Sequence, residues 1–502
     1  MKSITLFALF ICASIALGQV NTSYYVSPTG NDSYPGTQAA PWKTLQHAAD
    51  TARAGSTVLV RGGSYAELVR INVSGNASDG FVTFKSYPGE TAVLDAGSIT
   101  PSGRQGVLTI HNQSYVRIEG FEIRNFHTAE HHLAPLGIDV NGSGSHIELL
   151  KNNVHHIEQT FDGRDGPGHG ANAFGIAVYG TDAKSPITDL VIDGNQVHHL
   201  KTGSSESLVV NGNVTNFRIT HNVVHDNNNI GIDVIGFERT APDPAVDQAR
   251  DGVVGNNLVY NITSKGNPAY QNEENSDGIY VDGGTRILIE QNVMHDVDFG
   301  IELASEHKDR ATSYIIARNN LIYHAHTAGV SIGGYDPQRG HTEHCTVVNN
   351  TLYNNDTSAT GSGEFQMQWN MADNIFANNI VYAGPRCLIA LNKSQLDKDH
   401  PPAVIDHNLY YCASGPKAST WAGASATVTG FDKYVEATGN DGHSRFLDPH
   451  FVDATARDFH LQSDSPALAA GTTEGLPIGE LDIEGSVRVR SAKIDIGCYQ
   501  RQ

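Results

Sequence analysis

Gly278-Ile279-Tyr280-Val281 returns 22 residues later as Gly300-Ile301-Glu302-Leu303, and 29 residues after that as Gly329-Val330-Ser331-Ile332. The same phrase stands earlier at Gly137-Ile138-Asp139-Val140, Gly175-Ile176-Ala177-Val178 and Gly231-Ile232-Asp233-Val234. A second phrase runs in register with it: an Asn, two mostly apolar residues, then His or Tyr. It begins at Asn153, Asn195, Asn222, Asn257, Asn292, Asn320, Asn350, Asn379 and Asn408. A fixed period of about 20 to 50 residues marks an array of stacked supersecondary units. Each unit here is strand-rich and turn-rich without helical periodicity. The chain therefore reads as all-β, a parallel β-helix of about ten rungs.

The ends need covers, because a terminal rung would otherwise expose core. In the opening region, residues 19–91, Leu45, Ala48, Ala49 and Ala52 recur at helical spacing and predict an N-terminal capping helix. The rungs occupy residues 92–412. Beyond them the repeat dissolves, and residues 413–502 read as an irregular C-terminal cap. Three long loops interrupt the rungs: Phe161 to Asn172, Glu238 to Asp251 and Thr263 to Ser276. Long loops in a compact repeat are usually walls or lids of a site.

Residues 1–18 read as a signal peptide. Lys2 supplies the positive start, Ile4 to Leu17 the apolar run, and Ala16-Leu17-Gly18 the cleavage site. That run, about 14 residues, falls short of the roughly 20 needed to span a bilayer. The mature chain is thus expected to be secreted. A formal charge of −21, one unit more negative without Lys2, argues against nucleic acid and anionic membrane surfaces. The expected partner is an extracellular polysaccharide, met by a monomer. Eleven N-x-S/T sequons from Asn21 to Asn392 point to a glycoprotein. Of the cysteines left after export, Cys387 and Cys412 lie about one rung apart and are the expected disulfide.

Alternation along a strand sorts the side chains. Ile232/Val234, Ile279/Val281, Ile301/Leu303 and Val330/Ile332 face the interior. Asp139, Ala177, Asp233, Tyr280, Asp282, Glu302 and Ser331 face out. Asp233, Tyr280/Asp282 and Glu302 should therefore line one solvent-facing groove on successive rungs, with Glu238, Asp277, Asp298 and Glu306 nearby. Carboxylates that close raise one another's pKa or recruit a cation. The Asn series reads as an interior ladder meeting backbone groups that the bends leave unpaired. The rings three residues on, His156, His198, His225, Tyr260, His295, Tyr323, Tyr353, Tyr382 and Tyr411, read as a structural stack, since Tyr replaces His freely.

The opening Tyr25-Val26-Ser27-Pro28-Thr29-Gly30-Asn31-Asp32, with Pro41-Trp42-Lys43-Thr44-Leu45 and Gly62-Gly63-Ser64-Tyr65, resembles secreted right-handed parallel β-helix proteins of the pectate-lyase-like superfamily. Asn275-Ser276-Asp277-Gly278 followed by Asp298-Phe299-Gly300-Ile301-Glu302 resembles the calcium-binding rungs of polysaccharide lyase family nine. The resemblance implies calcium held by Asp277, Asp298 and Glu302, with Asp282 as a further ligand. It implies a calcium-assisted polyuronate lyase acting by β-elimination. That family's base is a Lys where this chain has Ser331, so Lys308 is the substitute candidate. Arg310 and Arg339 are candidate carboxylate clamps, because a guanidinium fork suits bidentate pairing.

Two rivals stand beside the lyase. A retaining glycoside hydrolase needs two carboxyls about 5 to 5.5 Å apart, which Asp282 with Glu302, or Asp233 with Asp282, would supply from adjacent rungs. A non-catalytic glycan-binding wall protein would use Tyr280, Tyr335 and Trp369 as stacking platforms. On any of these readings Asp233, Glu238, Tyr280 and Tyr335 contact the glycan.

Overall fold

The computed structural model describes residues 22–162, 170–271, 273–393, 403–423, 426–490 and 492–502. The expected signal peptide, residues 1–18, and most of the Phe161 to Asn172 loop lie outside the described residues. The rest is a parallel β-helix of three sheets, each rung giving one strand to each sheet in turn. Among the described residues the first sheet runs from Ser23–Val26 to Ala403–Asp406, the second from Val69–Ile71 to Thr420–Gly423 and on to the antiparallel Val428–Thr429, the third from Gly63–Tyr65 to Arg445–Phe446. The main ladder of each sheet holds thirteen strands, more than the ten or so rungs expected. Strands assigned to the opening cap pair in register with the repeats, as in Val82–Ser86 against Val116–Glu119. Coiling also continues past residue 412.

Apolar side chains at alternate positions fill the interior. Ile232, Val234, Ile279, Val281, Ile301, Leu303, Val330 and Ile332 are all buried. The repeated Gly has a steric cause. A Cβ on Gly300 would sit 2.3 Å from the carbonyl oxygen of Gly329, and one on Gly231 would sit 2.6 Å from that of Gly278. Only glycine lets successive rungs close at this bend.

The Asn ladder is continuous and buried, with one change of register. Its first member is Asn152, not Asn153: the Asn152 amide donates to Asn195 Oδ1 at 2.9 Å. Asn222 and Asn257 repeat the pattern at 2.9 Å, and Asn257 Nδ2 donates to Ile219 O at 2.9 Å. The ring stack shifts with it, so His155 pairs with His198 and replaces His156. Two adjacent Asn and two adjacent His left that register open to a slip of one residue.

The expected capping helix forms over Leu45–Thr51, burying Leu45, Ala48 and Ala49, with Thr44 accepting from the His47 amide. At the other end a helix over Phe431–Thr438 lays Tyr434 flat on Trp421, centroids 4.3 Å apart. The remaining tail folds back along the outside of the rungs: Asn319 Nδ2 donates to Leu481 O, and Asn349 Nδ2 to Asp495 O. Residues 413–502 therefore cap the solenoid and also line its flank. Cys387 and Cys412 form the expected disulfide, while Cys345 and Cys498 are buried thiols. Four sequon residues, Asn213, Asn349, Asn355 and Asn392, are buried in the fold. Among the described residues no helix is long and apolar enough to cross a membrane.

Candidate active site

The outward column of the second sheet follows from strand register. Val209 pairs with Asp233, Asp233 with Tyr280, Tyr280 with Glu302, Glu302 with Ser331, and Ser331 with Gln366. Asp233, Tyr280 and Glu302 thus occupy three successive rungs as expected. A rung without the Gly phrase, Leu208–Gly212, separates them from Ala177. Asp139, lower in the column, is paired with Arg104 at 2.6 Å.

The face is not the open groove that alternation suggested. Asp233, Asp277, Asp282 and Tyr280 are buried, because loops fold over the sheet. The Thr263 to Ser276 loop is fixed by Asp298, whose Oδ2 accepts from the Ser264 and Ser276 amides at 2.9 and 3.0 Å. Its Oδ1 meets His326 Nδ1 at 2.8 Å. Asp298 is fully buried with both oxygens engaged, so it anchors the loop that walls the site. The Glu238 to Asp251 loop is pinned by Asp247, which accepts from the Arg239 and Ala241 amides.

What stays open is a cleft of about 460 Å³ lined by Asp277, Tyr280, Glu302, Glu306, Tyr335 and Lys393, with Tyr270 and Asn275 from the first loop. Gln366 and Gln368 form its floor. Glu302 Oε1 accepts from Ser331 Oγ at 3.1 Å and from Gln368 Nε2 at 2.7 Å. Gln368 Oε1 in turn accepts from Lys393 Nζ at 3.0 Å.

Electrostatics in the cleft are dominated by crowded acids. Burial, then the neighbouring Glu302 and Asp298, pushes the Asp277 carboxyl well above the ordinary carboxylate range. Burial also raises Glu302, and the Asp277 and Glu302 carboxyls act on each other across the cleft. Asp282 is raised by burial and by Glu306, while its Oδ1 accepts from the Glu306 amide at 2.8 Å. Burial and Glu206 raise Asp233. One oxygen each of Asp233 and Asp277 is buried without a hydrogen-bond partner. Lys393 is lowered by burial, against which Glu302 acts to raise it.

The remaining candidates separate. Arg339 reaches the rim: its Nη1 donates to Glu306 O at 3.2 Å and its guanidinium lies 4.5 Å over the Tyr335 ring. Arg310 stacks over Phe237 instead, at 4.9 Å. Lys308 stands on an exposed turn and does not line the cleft, because the chain bends away after Glu306. Glu238 lies outside the cleft and accepts from Asn211 Nδ2 at 2.7 Å. Lys393, Gln366, Gln368 and Tyr270 were missed. Register counted on from Asn379 would have placed Gln366 and Leu391 in the outward column, with Lys393 two residues further on the same face.

The family model of the Pel9A-like, right-handed β-helix region matches residues 24–172. The uncharacterized protein YwoF of Bacillus subtilis is 38% identical over 445 residues, which are 88% of this chain and 91% of YwoF. The pectate lyase PEL9 of Emericella nidulans is 30% identical over 197 residues, covering 35% of this chain and 47% of that one. The chain belongs to the pectate-lyase-like superfamily of right-handed parallel β-helix proteins. The solved complex of XylC with xylose superposes on this pectate-lyase-like chain with a TM-score of 0.53, covering 96% of it and 98% of XylC. At 11% identity that likeness speaks for the fold alone.

Proposed function

We propose that the cleft on the second sheet is the active site of a polysaccharide lyase that cleaves an extracellular polyuronate by β-elimination. The observation that carries this reading is Lys393, a half-buried amine lowered by burial, held in the same cleft as the Asp277 and Glu302 carboxyls. β-Elimination needs a base for the proton α to the uronate carboxylate, charge stabilisation at that carboxylate, and no water nucleophile. The match to a pectate lyase supports the substrate class.

A hard divalent cation such as calcium suits this donor set. Asp277 and Glu302 offer only oxygens, and Asp277 Oδ1 is buried and unpartnered. Asp298 does not suit it, since its oxygens already hold the loop. Asp277 and Glu302 would hold the ion, and when bound it would neutralise the substrate carboxylate. With Glu302 so occupied, burial alone acts on Lys393, which favours the free amine. Lys393 then removes the proton, and its electron pair forms the double bond as the C–O bond to the leaving sugar breaks, with solvent protonating the released oxygen. Gln368 fixes the lysine Nζ, Arg339 pairs with a substrate carboxylate at the rim, and the exposed Tyr335 stacks against a sugar ring.

The deciding experiment is a glycan panel with and without EDTA, read by ultraviolet absorbance of unsaturated uronides. Unsaturated product that disappears with EDTA and with Lys393→Met supports the lyase. New reducing ends without absorbance overturn it in favour of a hydrolase, for which the adjoining Asp277 and Glu302 carboxyls are the specific support.

A further inference from the structure

The third sheet carries a second cluster of polar groups, apart from the cleft. His155, His198 and His225 stack with centroids 5.1 and 4.8 Å apart. The residue after each, His156, His199 and Asp226, has a left-handed backbone, φ 53, 54 and 54°. That turn swings its side chain alongside the stack. His155 Nδ1 thereby lies 2.6 Å from His156 Nδ1, His198 Nδ1 2.7 Å from His199 Nδ1, and His225 Nδ1 2.6 Å from Asp226 Oδ2.

Two ring nitrogens in contact must share either a proton or a cation, since two lone pairs repel. The opposite edges of two rings are already held. His155 Nε2 meets Glu122 Oε1 at 3.3 Å, and His198 Nε2 meets Asn153 Oδ1 at 2.8 Å. A carboxylate or amide oxygen can only accept, so each Nε2 carries its hydrogen and each Nδ1 presents a lone pair to its neighbour. Metal-ligating histidines are oriented in this way by a second acceptor. Stacking alone does not explain the second ring of each pair. The Tyr260 rung keeps the stack with Asn261 at the left-handed position.

We propose that His198, His199, His225 and Asp226 form a binding site for one divalent transition-metal ion, which pins two consecutive turns of the solenoid. Donor atoms of His199, His225 and Asp226 lie within 4.8 Å of one another, and His198 Nδ1 is 2.7 Å from His199 Nδ1. These separations bracket the roughly 3.3 Å edge of a tetrahedron with bonds of about 2.0 to 2.1 Å. Imidazole donors with one carboxylate select zinc, nickel or copper over calcium. The site lies on a different sheet from the cleft, so it stands or falls apart from the lyase reading.

The test is calorimetric titration of the whole chain with Zn²⁺ in the presence of excess Ca²⁺. One ion per chain with a Kd of about 10 µM or tighter is expected, and Zn²⁺ should raise the Tm. His199→Asn keeps the fold, because Asn261 occupies the same left-handed position two rungs on. It and Asp226→Asn should each weaken binding by about tenfold or more and abolish the Tm increase. Co²⁺ should give the intense visible bands of four-coordinate cobalt in the parent chain and lose them in His199→Asn. A Kd weaker than about 100 µM, unchanged binding by both variants, or only the pale spectrum of six-coordinate cobalt overturns the proposal.

Discussion

Lys393 is joined to Glu302 through a single amide: Gln368 accepts from the lysine at 3.0 Å and donates to the carboxylate at 2.7 Å. The three residues come from the strands Phe299–Ala304 and Leu388–Asn392 and the segment after Phe365–Met367, or from the residue just beyond them. The bridge fixes the ammonium over the acid pair without letting the two charges neutralise each other by direct contact.

Replacing Lys393 with Met keeps its apolar stem and removes the amine. Formation of unsaturated product should fall by about 10² to 10⁴-fold, the contribution of a positioned proton acceptor. Lys308→Ala, on its exposed turn, should stay within about twofold of the parent enzyme under the same assay.

Calcium should raise the Tm of the parent chain, since it binds the folded acids and not the dispersed ones. Asp277→Asn should remove that increase. Asp298→Asn should lower stability with or without calcium, through hydrogen bonds lost to the Ser264 and Ser276 amides, and should leave the calcium-induced rise in place. Differential scanning calorimetry with and without EDTA separates the two.

Glu364 sits fully buried beside Asn355, and burial pushes its pKa from 4.5 up to about 8. The folded chain therefore holds a proton that the unfolded chain releases above about pH 4.5. The stabilisation is complete below that value and is lost as pH rises toward 8, at up to about 1.4 kcal/mol per pH unit. Glu364→Gln should lower stability at pH 5 by about 1 to 3 kcal/mol through an unmet Asn355 donor, yet flatten the decline between pH 5 and 8. Urea unfolding across that range reads both effects.

Asn257→Leu should cost about 1 to 3 kcal/mol per buried backbone group left unpaired. The Asn222 amide and Ile219 carbonyl lose their partners together. Chemical denaturation should show the drop, with no change in cleavage products.

The sequence alone determined the solenoid, because its causes are local and periodic. Gly300 must be glycine for rungs to close, Asn257 must be an amide to meet the next rung, and Ile279 and Val281 must alternate inward. Each requirement recurs at most turns, so it is written repeatedly. The pairing of Asp233, Tyr280 and Glu302 was legible for the same reason. What a residue does outside the coil is not periodic. Asp298 lies near Asp277 in the acid pattern, yet a loop some 22 to 34 residues away folds onto its carboxylate. Only tertiary structure showed it as an anchor. Lys308 is near Glu302 in sequence but turned outward, while Lys393, 91 residues away, returns to the cleft three rungs later. Distance along the chain measures nothing on a solenoid, where neighbours are set by stacking of rungs and by loops whose lengths differ at every turn.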